Sequence, residues 1–198
     1  MKQIAQGAEA KLFKKNKTLV KDRVRKTYRI EEIDKRLRKR RTKKEAKILE
    51  KIQDLNFTPK LIGTDNQSKI EMEFIDGITL RDHLNKDNYK KPIQELGKKI
   101  AILHNQGIIH GDLTTSNFIV KDNKIFFIDF GLSFEEDQVE HKAVDLHLLK
   151  QALDSKHYEI AEKAFKEVLK SYKSESKEGK EVLERLKQVE TRGRYKHK

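Results

Sequence analysis

Two short strings in the middle of the chain constrain its fold more than anything else in it. The first is His110-Gly111-Asp112-Leu113-Thr114-Thr115-Ser116-Asn117. Phe118-Ile119-Val120 and Ile125-Phe126-Phe127-Ile128 follow and flank the turn pair Asp122-Asn123, which predicts a β-hairpin. The hairpin runs into the second string, Asp129-Phe130-Gly131. A lone Asp-Phe-Gly says little. An Asp and an Asn five residues apart, then a hairpin, then Asp-Phe-Gly is a far more specific combination. Asp129 also follows three apolar residues, and a carboxylate at the end of a buried strand needs a partner.

The pair of strings resembles the catalytic loop and metal-binding motif of the protein-kinase superfamily, H-x-D-x4-N followed by D-F-G. The resemblance implies ATP and Mg²⁺ as cofactors and a role for each residue. Asp112 would be the catalytic base that reaches the hydroxyl or water attacking the γ-phosphate. Asn117 and Asp129 would be metal ligands, since Mg²⁺ is a hard cation that takes oxygen donors. Gly131 would let the backbone turn sharply after that carboxylate.

Other parts of such a site have candidates. Gln6-Gly7-Ala8-Glu9-Ala10 stands where a kinase has its glycine-rich phosphate loop, although it carries one glycine and is not G-x-G-x-x-G. Lys21 follows Thr18-Leu19-Val20 as the phosphate-binding Lys follows a strand in kinases, and is assigned to catalysis and nucleotide binding. Glu45 is its expected ion-pair partner. Met72-Glu73-Phe74-Ile75 would read adenine, through the Glu73 carbonyl and the Ile75 amide, with Met72 behind the ring.

The chain divides near residue 77. Residues 1–76 hold β-like runs and one long charged helix. Leu12-Phe13 and Thr18-Leu19-Val20 bracket Lys15-Asn16-Lys17 as a hairpin, and Leu61-Ile62-Gly63 and Ile70 to Phe74 read as two more strands. Ile30, Ile33 and Leu37, then Ile48, Leu49 and Ile52, recur at helical spacing. No apolar residue lies between Leu37 and Ala46, so that stretch is expected to bury no face. Residues 77–190 are mainly helical. Leu96, Ile100, Leu103 and His104 line a helix ending at Gly107, and 139–153, 155–173 and 176–190 are further amphipathic helices. Residues 191–198 are expected to be a basic, flexible tail, with Gly193 breaking any helix. The fold class is α+β: a minimal bilobal kinase-like fold with a small β-rich N-lobe and a helical C-lobe.

The 198 residues carry a net charge of +13 and no cysteine. Disulfides and thiolate metal sites are excluded. No apolar run approaches the ~20 residues of a membrane span, and Met1-Lys2-Gln3-Ile4 is not signal-like, so a soluble cytoplasmic protein with no membrane partner is expected. The excess of positive charge favours nucleic acid as a partner. Residues 35–44 hold eight Lys or Arg. The tail carries Arg192, Arg194, Lys196 and Lys198, with Tyr195 able to stack on a base. Both segments are candidate tRNA contacts.

From end to end the chain resembles the small atypical kinase/ATPase subunit of the KEOPS complex, related to the RIO kinases. The resemblance rests on Gln6 to Ala10, Lys21 with its continuation to Tyr28-Arg29, Arg40-Arg41-Thr42 with Glu45-Ala46, His110 to Asn117, Asp129 to Gly131 and Arg192-Gly193-Arg194. It implies support of threonylcarbamoyladenosine synthesis in tRNA, with ATP hydrolysis driving the cycle and with autophosphorylation and Ser/Thr kinase activity in the isolated protein. The implied partners are the universal threonylcarbamoyl-transferase subunit and a small regulatory subunit. Only 67 residues follow Gly131, with no A-P-E motif, and Thr114 stands where kinases usually carry Lys. These departures favour coupled hydrolysis over a free-standing Ser/Thr protein kinase. A catalytically idle tRNA-binding adaptor is opposed by the intact Asp112, Asn117 and Asp129.

Overall fold

The computed structural model describes residues 1–7 and 9–194. It divides into two compact units. The first comprises residues 1–76 and 126–132, and the second the remainder.

In the first unit β1 (Lys2–Gln6), β2 (Ala10–Lys15), β3 (Thr18–Arg23), β4 (Leu61–Thr64) and β5 (Lys69–Glu73) form one antiparallel sheet in the order β1-β2-β3-β5-β4. The expected β2–β3 hairpin is present, turning at Asn16 with φ +54°. An Asn tolerates that left-handed conformation better than a branched residue would. Ile70 and Met72 alternate into the core as the pattern of β5 predicts. β1 has no counterpart in the sequence reading, because all five of its residues are exposed and leave no alternation to detect.

Helix α1 (Glu31–Lys51) is continuous. Glu31, Glu32 and Asp34 in its first turn complement the helix dipole. Its second half buries Ile48 and Leu49, as expected. The turns before Ala46 correct the reading. They do bury a face, made of polar residues: Asp34, Thr42 and Glu45 point inward while Ile30 and Ile33 are 70% and 41% exposed. Ion pairing makes this tolerable. Arg38 Nε donates to Asp34 Oδ2 at 2.7 Å and the Lys26 amide to Oδ1 at 3.1 Å.

The second unit begins with β6 (Ile78–Thr79), α2 (Leu80–His83) and α3 (Lys90–Asn105). Then come β7 (Ile108–Ile109), β8 (Phe118–Lys121), β9 (Lys124–Phe127), whose last two residues belong to the first unit, and β10 (Phe134–Glu135). It ends with α4 (Val139–Lys156), α5 (Ala161–Glu175) and α6 (Gly179–Arg194). Leu96, Ile100, Leu103 and His104 of α3 are all buried. The helix gives way at Gly107, whose φ of +67° suits glycine. At Gly97 a β-carbon would lie 3.1 Å from both Ser171 Cβ and Val168 Cα, so this glycine lets α3 and α5 approach closely. The β8–β9 turn places Asp122 and Asn123 at φ +50° and +57°, the pair of left-handed residues that a tight hairpin needs.

The carboxyl end departs from the expected tail. Gly193 does not stop α6, which runs to Arg194, and Arg192 Nη1 lies 2.8 Å from Glu140 Oε1 on α4. Tyr195 to Lys198 lie outside the described residues. The architecture is α+β, a β-rich unit with one long helix and a mainly helical unit. No helix among the described residues is long and apolar enough to cross a membrane.

Candidate active site

The first unit gathers Lys21, Glu45 and Asp129. Side chains on a strand share a face every second residue, and Lys21 and Arg23 of β3 are both buried. Lys21 Nζ lies 2.9 Å from Glu45 Oε1 and 2.7 Å from Asp129 Oδ1. Arg23 Nη2 donates to the other oxygen of the same carboxylate, Glu45 Oε2. Glu45 is only 1% exposed, so its charge is met by two cations rather than by water. Burial by itself would lower the Lys21 pKa. The Glu45 and Asp129 carboxylates outweigh it, so the ammonium sits above its ordinary value and stays charged at neutral pH.

The backbone turns sharply here, but not through a left-handed Gly131. The left-handed residue is Asp129, at φ +61°. A non-glycine residue there is strained, and such strain gathers at functional sites. Gly131 is needed for space instead. A β-carbon on it would lie 3.0 Å from Asp129 Oδ1, 3.1 Å from Arg23 Nη2 and 3.6 Å from Glu45 Oε2. Phe127 and Phe130 are fully buried on either side, and the Phe127 ring meets Phe57 edge-on with centroids 5.3 Å apart. The turn is therefore fixed by two aromatic anchors.

The β1–β2 turn holds the phosphate-loop candidates. Gln6 closes β1, Gly7 N donates to Ala10 O at 2.9 Å, and Ala10 is buried at the start of β2. Ala8 lies outside the described residues. Glu9 receives Arg41 Nη1 of α1 at 2.5 Å and has Arg29 Nη2 at 3.8 Å. Met72 is buried on β5 opposite Leu19, Glu73 ends that strand and Ile75 is buried two residues on. Of the eight basic residues in 35–44, Arg38 and Arg41 are thus tied to carboxylates of their own unit, whereas Lys35, Arg36, Lys39, Arg40 and Lys43 are exposed.

In the second unit the loop after β7 folds back on itself. Asn117 Nδ2 donates to the Asp112 carbonyl at 2.9 Å and to Asp112 Oδ2 at 2.8 Å. Gly111 takes φ +78°. Asp145 of α4, fully enclosed, accepts the His110 amide on Oδ2 and the Gly111 amide on Oδ1, both at 2.9 Å. Its Oδ2 also lies 3.2 Å from His104 Nε2, whose Nδ1 meets the Tyr172 hydroxyl at 2.9 Å. Asp145 and Arg23 were both missed by the sequence reading. Arg23 had a signal, its two-residue spacing from Lys21. Asp145 had none, since it lies 35 residues from the amide it holds.

The donor set fits a magnesium–nucleotide complex better than a bare metal. Among the described residues no three His, Asp or Glu converge as a metal site. Mg²⁺ is usually held by one or two carboxylates together with substrate phosphates. In the first unit Asp129 is 49% exposed at the end of its turn, and in the second Asn117 directs its amide nitrogen at Asp112.

A RIO domain model matches residues 6–146. The chain is 43% identical to the KEOPS complex subunit Bud32 of Pyrococcus abyssi, covering 100% of this chain and 98% of that protein. It is 41% identical to a probable bifunctional tRNA threonylcarbamoyladenosine biosynthesis protein of Methanobrevibacter smithii, covering 98% of this chain but only 37% of that longer protein. Its fold matches the Rio2 kinase–ADP/Mg²⁺–phosphoaspartate complex of Chaetomium thermophilum with a TM-score of 0.61 at 17% identity, over 98% of this chain and 71% of that one. Matched over most of its length by the domain model and end to end by a Bud32 subunit, the chain belongs to the RIO-domain family of atypical kinase-like proteins.

Proposed function

We propose that the chain binds ATP with Mg²⁺ and turns it over as the small atypical kinase and ATPase subunit of a KEOPS-type assembly supporting threonylcarbamoyladenosine modification of tRNA. The observation that carries this reading is the buried Lys21–Glu45 pair with Asp129 on the same ammonium. Lys21 positions the phosphates as a point charge and Glu45 orients Lys21. Asp129 and Asn117 would hold Mg²⁺, which supplies charge neutralisation at the phosphates when bound. Asp112 takes the proton of the attacking hydroxyl or water. Gln6 to Ala10 cover the phosphates, and Met72, Glu73 and Ile75 receive adenine. The lack of an A-P-E motif after Gly131 and the Thr114 that stands where kinases usually carry Lys favour hydrolysis coupled to a partner, with autophosphorylation and Ser/Thr phosphorylation as side activities.

The end-to-end match to a KEOPS subunit supports a place in such an assembly, and the universal threonylcarbamoyl-transferase subunit and the small regulatory subunit are the proposed partners, in the cytoplasm. The deciding measurement is ATP turnover by the purified chain, alone and with these partners and tRNA. Lys21→Ala should lower turnover by about 10²-fold through lost phosphate positioning while the fold persists. Parental turnover in Lys21→Ala beside a loss in Lys26→Ala would mean that the wrong lysine was chosen.

The exposed cations of residues 35–44 and the basic end 191–198 are proposed to touch tRNA phosphates. Removing 191–198 should weaken tRNA binding to the assembled complex and flatten its salt dependence, by about 0.7 to 0.9 in log–log slope per lost contact. The check is tRNA affinity across a salt series. An unchanged slope would return this end of the chain to plain solvated surface.

A further inference from the structure

We propose that Arg23 is a positioning residue for ATP turnover, holding Glu45 aimed at Lys21 and neutralising it so that the Lys21 charge remains available to phosphates. The inference rests on the reading of Lys21 given above.

Each oxygen of Glu45 has its own cation, Lys21 on Oε1 and Arg23 on Oε2. A buried Lys–Glu pair alone sums to zero charge, whereas this trio carries one net positive charge. Asp129 is the exposed counter-charge of the group. When a competing cation takes Asp129, Lys21 is left with Glu45, and Arg23 prevents Glu45 from absorbing the whole Lys21 charge.

Stability does not account for Arg23. Its Nη1 is buried with no hydrogen-bond partner among the described residues, and an unsatisfied buried donor is destabilising. A buried ion pair is also a poor stabiliser beside an apolar replacement of similar volume. The guanidinium instead meets all three parts of the cluster. It projects from β3, clasps α1 through Glu45, and packs where a Gly131 side chain would otherwise stand, 3.1 Å from the position of its β-carbon.

The test compares Arg23→Met, Arg23→Lys, Glu45→Gln and the Arg23→Met/Glu45→Gln double variant, in the assembled complex. Arg23→Met should melt lower than the parent, because one buried Glu45 oxygen loses its cation, so kcat is compared well below the transition. Its kcat should fall about ten- to a hundredfold, the scale of a misplaced catalytic group, with KM for ATP changed less than about threefold. Arg23→Lys should recover most of the loss. On the Glu45→Gln background Arg23→Met should change kcat by less than about twofold, since a residue acting through another is non-additive with it. Amide exchange in residues 126–132, followed without nucleotide, should quicken in Arg23→Met. Parental kcat in a folded Arg23→Met protein, or additive effects in the double variant, overturns the proposal. If the parent complex turns over no ATP at all, the functional reading fails separately. The exchange measurement then decides Arg23 alone, and unchanged exchange refutes the clamp.

Discussion

Asp129→Asn should leave the protein folded and remove Mg²⁺-dependent ATP turnover, with kcat lower by about 10²- to 10³-fold, the loss typical of removing one preorganised electrostatic group. Asn is the informative replacement. Asp129 sits at φ +61°, a conformation that Asn tolerates and Ala does not, so the change isolates the carboxylate from the backbone. The Lys21 ammonium keeps Glu45 as partner in this variant, and the buried pair survives. Asp112→Asn is the companion. Turnover should fall by about 10²- to 10⁴-fold, the usual contribution of a general base, while nucleotide affinity changes little. Turnover is measured as phosphate release across a Mg²⁺ titration and binding with a fluorescent nucleotide. Parental turnover in either variant would remove that residue from its assigned role.

The second large effect is on stability. Asp145→Ala strips one buried carboxylate from three partners at once, the amides of His110 and Gly111 and the ring of His104. Breaking a fully buried polar network from one side costs about 3–5 kcal/mol, which corresponds to roughly 10 °C in melting temperature for a chain of this size. Asp145→Asn keeps one acceptor oxygen and should lose less. Thermal melts of the three proteins check the ordering, and an Asp145→Ala protein that melts with the parent would show that water replaces the carboxylate. Any folded Asp145→Ala protein should also be impaired in turnover, because Asp112 lies one residue beyond the released amide.

Much of this molecule was legible beforehand, for identifiable reasons. Strands β2, β3 and β5 and helices α3, α5 and α6 carry clear apolar periods, and the loop strings around Asp112 and Asp129 pair rare residue types at fixed spacing. The failures share a cause as well. Helix α1 buries Asp34, Thr42 and Glu45 while Ile30 and Ile33 face solvent, so apolarity does not mark the face it buries before Ala46. β1 is an edge strand exposed along its whole length and has no pattern to read. Gly131 carries a second constraint that its motif does not show. Its glycine answers to Arg23 and Glu45, residues more than 80 positions away, and crowding of that kind is a property of the folded chain. Gly193 failed differently: a single glycine near the end of a helix costs only about 1 kcal/mol relative to Ala, and the pairing of Arg192 with Glu140 holds that last turn in place.

Glu45 and Arg41 stand four residues apart on α1, one helical turn, and each holds a different part of the site. Arg41 grips Glu9 in the β1–β2 turn and Glu45 grips Lys21. A displacement of that helical turn by a few ångströms would loosen both contacts together. One helix thus carries two loads. Linkage then makes the coupling reciprocal. If the chain binds nucleotide as proposed, a ligand on the solvent-facing side of α1 that shifts the helix changes nucleotide affinity by the same factor that nucleotide changes its own.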